Sequence, residues 1–352
     1  MRKLLSIILI SAVSLSLFSC VSASSAIPED ALVIDYSGDS KVLADAFEEA
    51  ISDLVPAVTV TGTSDKFSME DLMEMDHGCF WVESFSISGR GKTTTYRFNY
   101  YDLTSDEISS MKAEIDSQIT EIIMSIPAGS SSWDKLLTVH DELVRRIDYD
   151  RSEHADHCMD CYGALVLHRA TCSGYASAFY LISDKLNLPC PLVYSETHTW
   201  NKMLISSDER YIDVTWDDPD QYSSEGMAYI CHDYFGLTEE EIGAVDQHQI
   251  VRNADINMIY DIGIVGNYHR HYGYLLSSSD QETVQNALLT QLNLGSSVLT
   301  LRFATDRDYI TIRDNWTADD YSDLLELLGS LGVDGEINVW FNDDIRTVNI
   351  GL

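Results

Sequence analysis

The stretch Thr171-Cys172-Ser173-Gly174-Tyr175-Ala176 constrains the fold more than any other part of the chain. Counted from Tyr175, the residues Tyr175, Phe179, Ile182 and Leu186 fall at i, i+4, i+7 and i+11, which is one face of a helix. That spacing predicts a buried helix with Cys172 in its first turn. Unpaired backbone N–H groups and the helix dipole favour a thiolate there and lower its pKa. Gly174 and Ala176 are expected to keep the approach to the sulfur uncrowded. A thiol nucleophile also needs a base that carries a proton near neutral pH and a group that fixes the base in one tautomer. His198 and Asp213 are of the right types. Residues 198–205 and 210–216 read as strands around a polar turn at Ser206–Glu209. In an antiparallel hairpin with an even loop, positions whose numbers sum to an odd total share a face, so His198 and Asp213 can point the same way. Contact needs a favourable register or a local twist. Asp213 lies between Ile212 and Val214, a half-buried setting in which an unpaired carboxylate is costly and a histidine partner removes the cost.

The N-terminus predicts the compartment. Arg2 and Lys3 precede an apolar run from Leu4 to Phe18 whose only polar members are serines, and Leu17-Phe18-Ser19-Cys20 closes it. This is the pattern of an export signal, and it is shorter than the roughly 20 residues needed to span a bilayer. The closing residues resemble a bacterial-type lipobox, although Phe18 is bulky for its place. The resemblance implies a signal peptide over 1–19, lipidation at Cys20 and a tether over 20–27, so that the protein sits outside the membrane on a lipid anchor. A plain secretory signal with an incidental cysteine is the alternative. The formal charge of −35, from 57 acids against 22 bases, argues against a nucleic-acid partner and against docking on anionic head groups. The acids are spread along the chain, which is the pattern of a solvated surface and says little about substrate.

Two α+β modules are expected to flank the central region. Residues 28–127 read as strand, helix, strand, short helix, a hairpin around Gly89-Arg90-Gly91 and a long helix over Thr104–Ile126. Residues 133–250 form the catalytic domain, opened by a helix over Trp133–Ile147. Residues 251–352 form the C-terminal module, with strands at Tyr272–Leu276, Val298–Phe303, Tyr309–Ile312, Ile337–Phe341 and Thr347–Ile350, and helices at Asp280–Leu292 and Ala318–Leu331. His269 and His271 alternate with Arg270 as on a strand edge. Of the seven cysteines, five remain once Cys20 and Cys172 are set aside, so no scheme pairs them all and the chain is not a disulfide scaffold.

The blocks Tyr162-Gly-Ala-Leu165, Ala170-Thr-Cys-Ser-Gly-Tyr-Ala176, Asn187-Leu-Pro-Cys190, His198-Thr-Trp-Asn201 and Asp213-Val-Thr-Trp-Asp-Asp-Pro219 resemble the transglutaminase-like superfamily in its bacterial and archaeal branch. The match continues upstream at Val139-His-Asp-Glu-Leu143 and Ile147-Asp-Tyr149, and downstream at Tyr234–Glu241 and His248, covering about 133 to 250. The resemblance implies an α+β, papain-related domain in which a helix carrying the cysteine packs on an antiparallel sheet. Cys172 is then the nucleophile, His198 the general base and later acid, and Asp213 its orienter. The implied reaction is acyl transfer at amide bonds of proteins or cell-wall peptides, with hydrolysis favoured over cross-linking because a site open to water loses its acyl-enzyme to water.

No cofactor is expected and no metal ligand is assigned. The segment His154-Ala-Asp-His-Cys158-Met-Asp-Cys161 carries zinc-type residues, but ligands so crowded rarely close a tetrahedron alone; a local disulfide or free thiols are the competing readings. The backbone N–H of Cys172 is a generic oxyanion donor. Trp133 is a further candidate for that role, against the plainer reading of a core tryptophan. Two other functions stay open: a non-catalytic envelope scaffold whose triad is a relic, and a metal-handling lipoprotein built on 154–161.

Overall fold

A computed structural model describes residues 31–36, 40–62, 67–152, 155–205, 208–218, 229–251, 266–318 and 320–352. The signal segment, Cys20, the tether, His154, Ser206, Ser207 and Pro219 lie outside the described residues. Among the described residues no helix is long and apolar enough to cross a membrane.

The chain divides into two compact units. One holds the described residues up to Met69 together with Trp81–Thr104. Its strands β1 (Ala31–Asp35), β2 (Ala57–Thr61), β3 (Val82–Arg90) and β4 (Thr93–Tyr100) form a sheet in the order β1-β2-β4-β3, with helix α1 (Ser40–Ser52) between the first two strands in sequence. Phe47, Tyr96 and Phe98 fill its core, and the buried Trp81 indole donates to the Ile51 carbonyl at 3.2 Å.

The other unit holds Glu70–Phe80 and Ser105–Leu352. Here α2 (Met69–Met73), α3 (Ser105–Ser125), α4 (Ser132–Arg146), α5 (Cys161–Leu165) and α6 (Cys172–Lys185) accompany two sheets and a short parallel pair, β5 (Asp148–Tyr149) with β6 (Arg169–Ala170). The long helix α3 groups with this unit; Arg146 reaches its Glu121 at 3.1 Å and Tyr162 its Glu114 at 2.8 Å. Helix α4 begins with a capping box, in which the Ser131 hydroxyl accepts the Asp134 N–H and the Asp134 carboxylate faces the Ser131 N–H. Its face of Trp133, Leu136, Val139 and Leu143 is buried.

The central sheet is antiparallel throughout, in the order β10-β9-β8-β7, with β7 (Leu192–Tyr194), β8 (Thr199–Ile205), β9 (Asp208–Ile212) and β10 (Phe235–Leu237), followed by α7 (Glu239–Gly243). Helix α6 packs on β8 and is buried on almost every side from Ser173 to Phe179, so the apolar face read from the sequence is only part of its buried surface. Gly174 makes room for backbone, not for an approaching substrate. A Cβ there would lie 2.6 Å from Ala170 Cβ and 2.9 Å from the Asp160 carbonyl oxygen. A Cβ on Gly163 would fall 1.9 Å from the His157 carbonyl oxygen, so the 155–160 loop is pressed between two glycines.

The C-terminal part has α8 (Tyr268–Tyr272), β11 (Leu275–Leu276), α9 (Gln281–Asn293), β12 (Val298–Phe303), α10 (Asp306–Ala318), α11 (Ser322–Ser330), β13 (Asn338–Asn342) and β14 (Thr347–Gly351). Its sheet runs β11-β12-β14-β13. Two expectations are corrected here. Residues 309–312 are helical: Thr305 caps α10 by accepting the Asp308 N–H, and Tyr309, Ile312 and Trp316 bury one helical face. His269 and His271 lie on a single helical turn, capped by Asn267 and ended by Gly273 at φ 79°. His269 is buried and its Nε2 meets Thr300 Oγ1 at 2.8 Å. The C-terminal sheet is tied to the central one by buried Asp233, which accepts from Thr347 (2.7 Å), Asn349 (3.0 Å) and Asn342 (3.2 Å).

Candidate active site

Cys172 is the first residue of α6 and is partly exposed. Its N-cap, Thr171, gives no side-chain cap hydrogen bond; the threonine hydroxyl donates to the Cys158 carbonyl instead. The positive end of the helix is therefore left for the sulfur. His198 closes the four-residue turn between β7 and β8, where its N–H donates to Ser195 Oγ at 3.1 Å and its carbonyl accepts the Ser195 N–H at 2.9 Å. Asp213 lies one residue past the end of β9. There the strand read over 210–216 has already turned, and residues 214–217 form a tight bend. The β8–β9 register pairs Asn201 with Ile212 and Ile205 with Asp208, leaving two residues in the connection where four were expected.

These three elements bring the side chains together. His198 Nε2 donates to Asp213 Oδ2 at 2.5 Å, and the same imidazole hydrogen-bonds Cys172. Since Nε2 is engaged by the carboxylate, Nδ1 is the nitrogen left for sulfur. The other carboxylate oxygen, Oδ1, accepts the Trp216 N–H at 3.1 Å. Burial opposes charge on all three groups, and their mutual charges outweigh it. The imidazolium of His198, its hydrogen bond and the backbone N–H of Thr199 hold the Cys172 thiol below its ordinary range. The Asp213 carboxylate and the Cys172 thiolate raise His198 to about 10. His198 in turn holds Asp213 well below the usual carboxylate range. The shifts of Cys172 and His198 run in opposite directions, the thiol down and the imidazole up, so the arrangement favours a thiolate–imidazolium pair over two neutral groups.

Asn201 fixes the distance between the cysteine helix and the histidine strand. Its buried amide donates to the Ala176 carbonyl on α6 at 3.0 Å and to the Cys190 carbonyl at 2.9 Å. Replacing it with leucine leaves two buried carbonyls without their donor, and urea unfolding should show a loss of about 2–4 kcal/mol; a change within error of zero contradicts this role.

Trp200 stacks on His198 at 5.7 Å and Trp216 lies 5.9 Å from it, so both wall the imidazole. Trp133 packs in the core against Phe235 and the Gly236 backbone. The six described cysteines form no disulfide with one another. Cys161 donates to the His77 carbonyl at 3.0 Å, and His157 Nδ1 pairs with Asp160 at 2.8 Å. Burial pushes the Cys158 thiol up to about 11 and Cys190 up to about 12, so neither forms a thiolate near neutral pH.

Two features escaped the sequence reading. His248, quoted only as part of the closing segment, reaches Asp213 Oδ2 with its Nε2 at 2.7 Å. Behind the same bend, His140 places Nδ1 3.0 Å from Asp141 and Nε2 3.1 Å from Asp217. His232 Nε2 meets Asp141 at 2.8 Å. Burial opposes a charge on His140, but its two carboxylate partners raise it to about 9. The bend 213–217 therefore supplies one carboxylate to each network, and the Asp217 N–H closes it on the Asp213 carbonyl at 3.2 Å. Each group brings three metal-type ligand atoms together. As they stand, hydrogen bonds to carboxylates, to a carbonyl and to Cys172 engage the nitrogens of His140, His198 and His248, so both are proton-sharing networks.

No family model matches the chain, and no curated protein matches it. Among solved structures it is similar to one described as a TGase, at 15% identity and a TM-score of 0.28, over 45% of this chain and 50% of that one. A second, from Cytophaga hutchinsonii and described as a candidate cysteine protease, matches at 12% identity and a TM-score of 0.25, over 36% of this chain and 55% of that one. A third, from Parabacteroides distasonis and described as a candidate protease, matches at 6% identity and 0.23, over 44% of this chain and 39% of that one. The chain thus spans about half the length of the first two and less of the third. At these TM-scores the likenesses carry no weight of their own. The α+β class, with a cysteine helix on an antiparallel sheet, stands on the geometry above.

Proposed function

We propose that the chain is a thiol acyl-transfer enzyme of the transglutaminase-like kind, acting on amide bonds of proteins or cell-wall peptides through Cys172, His198 and Asp213. The observation that carries this reading is the Cys172–His198–Asp213 line at the head of α6, with the sulfur partly exposed, the other two groups buried and the thiol lowered by the imidazole beside it. The thiolate adds to the amide carbonyl, and the His198 N–H gives its proton to the departing amine or ammonia. His198, now neutral, takes a proton from water or from a second amine, which attacks the thioester and frees the sulfur. Water as acceptor makes the enzyme a hydrolase, and this is the outcome we favour. A screen of peptide and cell-wall fragments by mass spectrometry, wild type against Cys172→Ala, tests the reading. Products dependent on Cys172 are expected, with ammonia alone marking deamidation, an amine adduct cross-linking and a cut chain peptidase action. Identical mixtures from both proteins across a broad amide set would sink it.

The same proposal places the enzyme outside the membrane on a lipid attached to Cys20, supported by the basic–apolar–Ser19-Cys20 pattern. In a bacterial host, a fatty-acid probe should label the wild type and not Cys20→Ser; equal labelling of the two removes the anchor from the account.

A further inference from the structure

The hydrogen-bond partners of His248 determine where its protons are. The ring is fully buried, and Nδ1 lies 2.8 Å from the backbone carbonyl oxygen of Asp246. A carbonyl only accepts, so Nδ1 carries a hydrogen. Nε2 lies 2.7 Å from Asp213 Oδ2, and an ionised carboxylate only accepts as well, so Nε2 also carries a hydrogen. We infer that His248 is an imidazolium and a positioning residue for the proposed triad, locking Asp213 from the side opposite His198 and balancing its charge. This rests on the acyl-transfer reading only in that Asp213 serves His198.

The surroundings of the ring support this. His198 and His248 share Oδ2 with ring centroids 4.9 Å apart, an unfavourable arrangement for two cations without the carboxylate between them. Trp200 at 4.9 Å, Trp216 at 4.7 Å and Tyr234 at 6.0 Å enclose His248 with aromatic faces and edges. Of the charged groups near it, Asp344 from the C-terminal part acts on His248 through its charge, while the Asp246 carboxylate is turned to the Gln247 N–H at 3.0 Å. Cys172, His198 and Asp213 alone would leave one net negative charge in a buried cluster. With His248 the four charges sum to zero. Removing the fourth charge withdraws positive potential from the thiolate, so the acid limb of Cys172 reactivity moves to higher pH.

The test is the pH profile of Cys172 alkylation by iodoacetamide in the full-length protein, for wild type, His248→Gln and His248→Phe. Glutamine keeps a hydrogen-bond donor for Asp213 without the charge, and phenylalanine keeps the ring packing without either. Both variants should shift the acid limb upward by roughly one pH unit. A glutamine profile that superimposes on the wild type overturns the charge role. If phenylalanine fails to fold, the glutamine comparison still decides. ¹⁵N-histidine spectra give an independent reading: the ring that disappears in His248→Gln should carry hydrogen on both nitrogens at neutral pH, and a ring bare at one nitrogen overturns the inference. An ordinary thiol in the wild type itself contradicts the acyl-transfer reading, whereas a wild-type thiolate untouched by both variants contradicts only the role of His248.

Discussion

Replacing His198 with alanine should slow alkylation of Cys172 by about a hundredfold near pH 6, because an unassisted thiol of pKa about 8.5 is less than about 1% ionised there. In the wild type the imidazolium holds the thiol below its ordinary range, and the Thr199 N–H and the uncapped start of α6 add to it. Removing the ring takes away the strongest influence opposing burial, and burial then raises the thiol instead. The other described cysteines are buried, and the thiols of Cys158, Cys161, Cys190 and Cys231 are pushed up, so peptide mapping should find the label on Cys172 alone. Equal rates in wild type and variant would mean that the imidazole does not ionise the sulfur.

Asp213→Asn is expected to be the most damaging change for fold and chemistry together. The carboxylate is fully buried and accepts from two imidazoles and the Trp216 N–H. An amide has one acceptor oxygen and no charge, so two buried imidazole groups lose their counterion. The expected loss is about 3 kcal/mol or more of stability at neutral pH, and about 10³–10⁴ in acyl transfer through misorientation of the base. The pH dependence has a definite sign. Asp213 has a depressed folded pKa, so its contribution is present above the ordinary carboxylate pKa and lost as pH falls through the folded value. His198 has a raised folded pKa of about 10, so its contribution is full below the ordinary imidazole value and lost as pH rises through about 10. The stability gap between wild type and variant in urea should therefore be widest near neutrality and narrow in both strong acid and strong alkali. A gap that stays constant with pH would mean that packing, not charge, is what the substitution removes.

The meeting of Cys172, His198 and Asp213 was more legible in the sequence than the architecture around it. Cys172 declared itself because helical periodicity is a local signal and the thiol falls at its start. His198 and Asp213 were readable as a pair by parity, though the contact arises otherwise than the hairpin argument had it. Asp213 sits past the strand, on a bend that closes on itself, and no alternation rule reaches such a position. His248 was out of reach because the partner it needs lies 35 residues away and is set by the path of the chain after α7. Gly174 was misjudged for a related reason: a glycine's motive is the backbone it lets approach, here the 158–160 carbonyls, and neither composition nor spacing shows that backbone. In the C-terminal part, the apolar pattern at 309–312 suited a strand until the Thr305 cap and Trp316 extended it into a helix. The short run His269–His271 was too brief for either period to be decisive.

The ultraviolet absorbance of the thiolate tests the central claim most directly. Taken as wild type minus Cys172→Ala across mildly acidic to neutral pH, the difference cancels the buried thiols and reports one sulfur. A difference already at its plateau at about pH 7, well under the ordinary thiol range near 8.5, is what the ion pair requires. A difference that appears only as pH climbs through that ordinary range would show an unactivated cysteine, and the proposed enzyme would have no nucleophile.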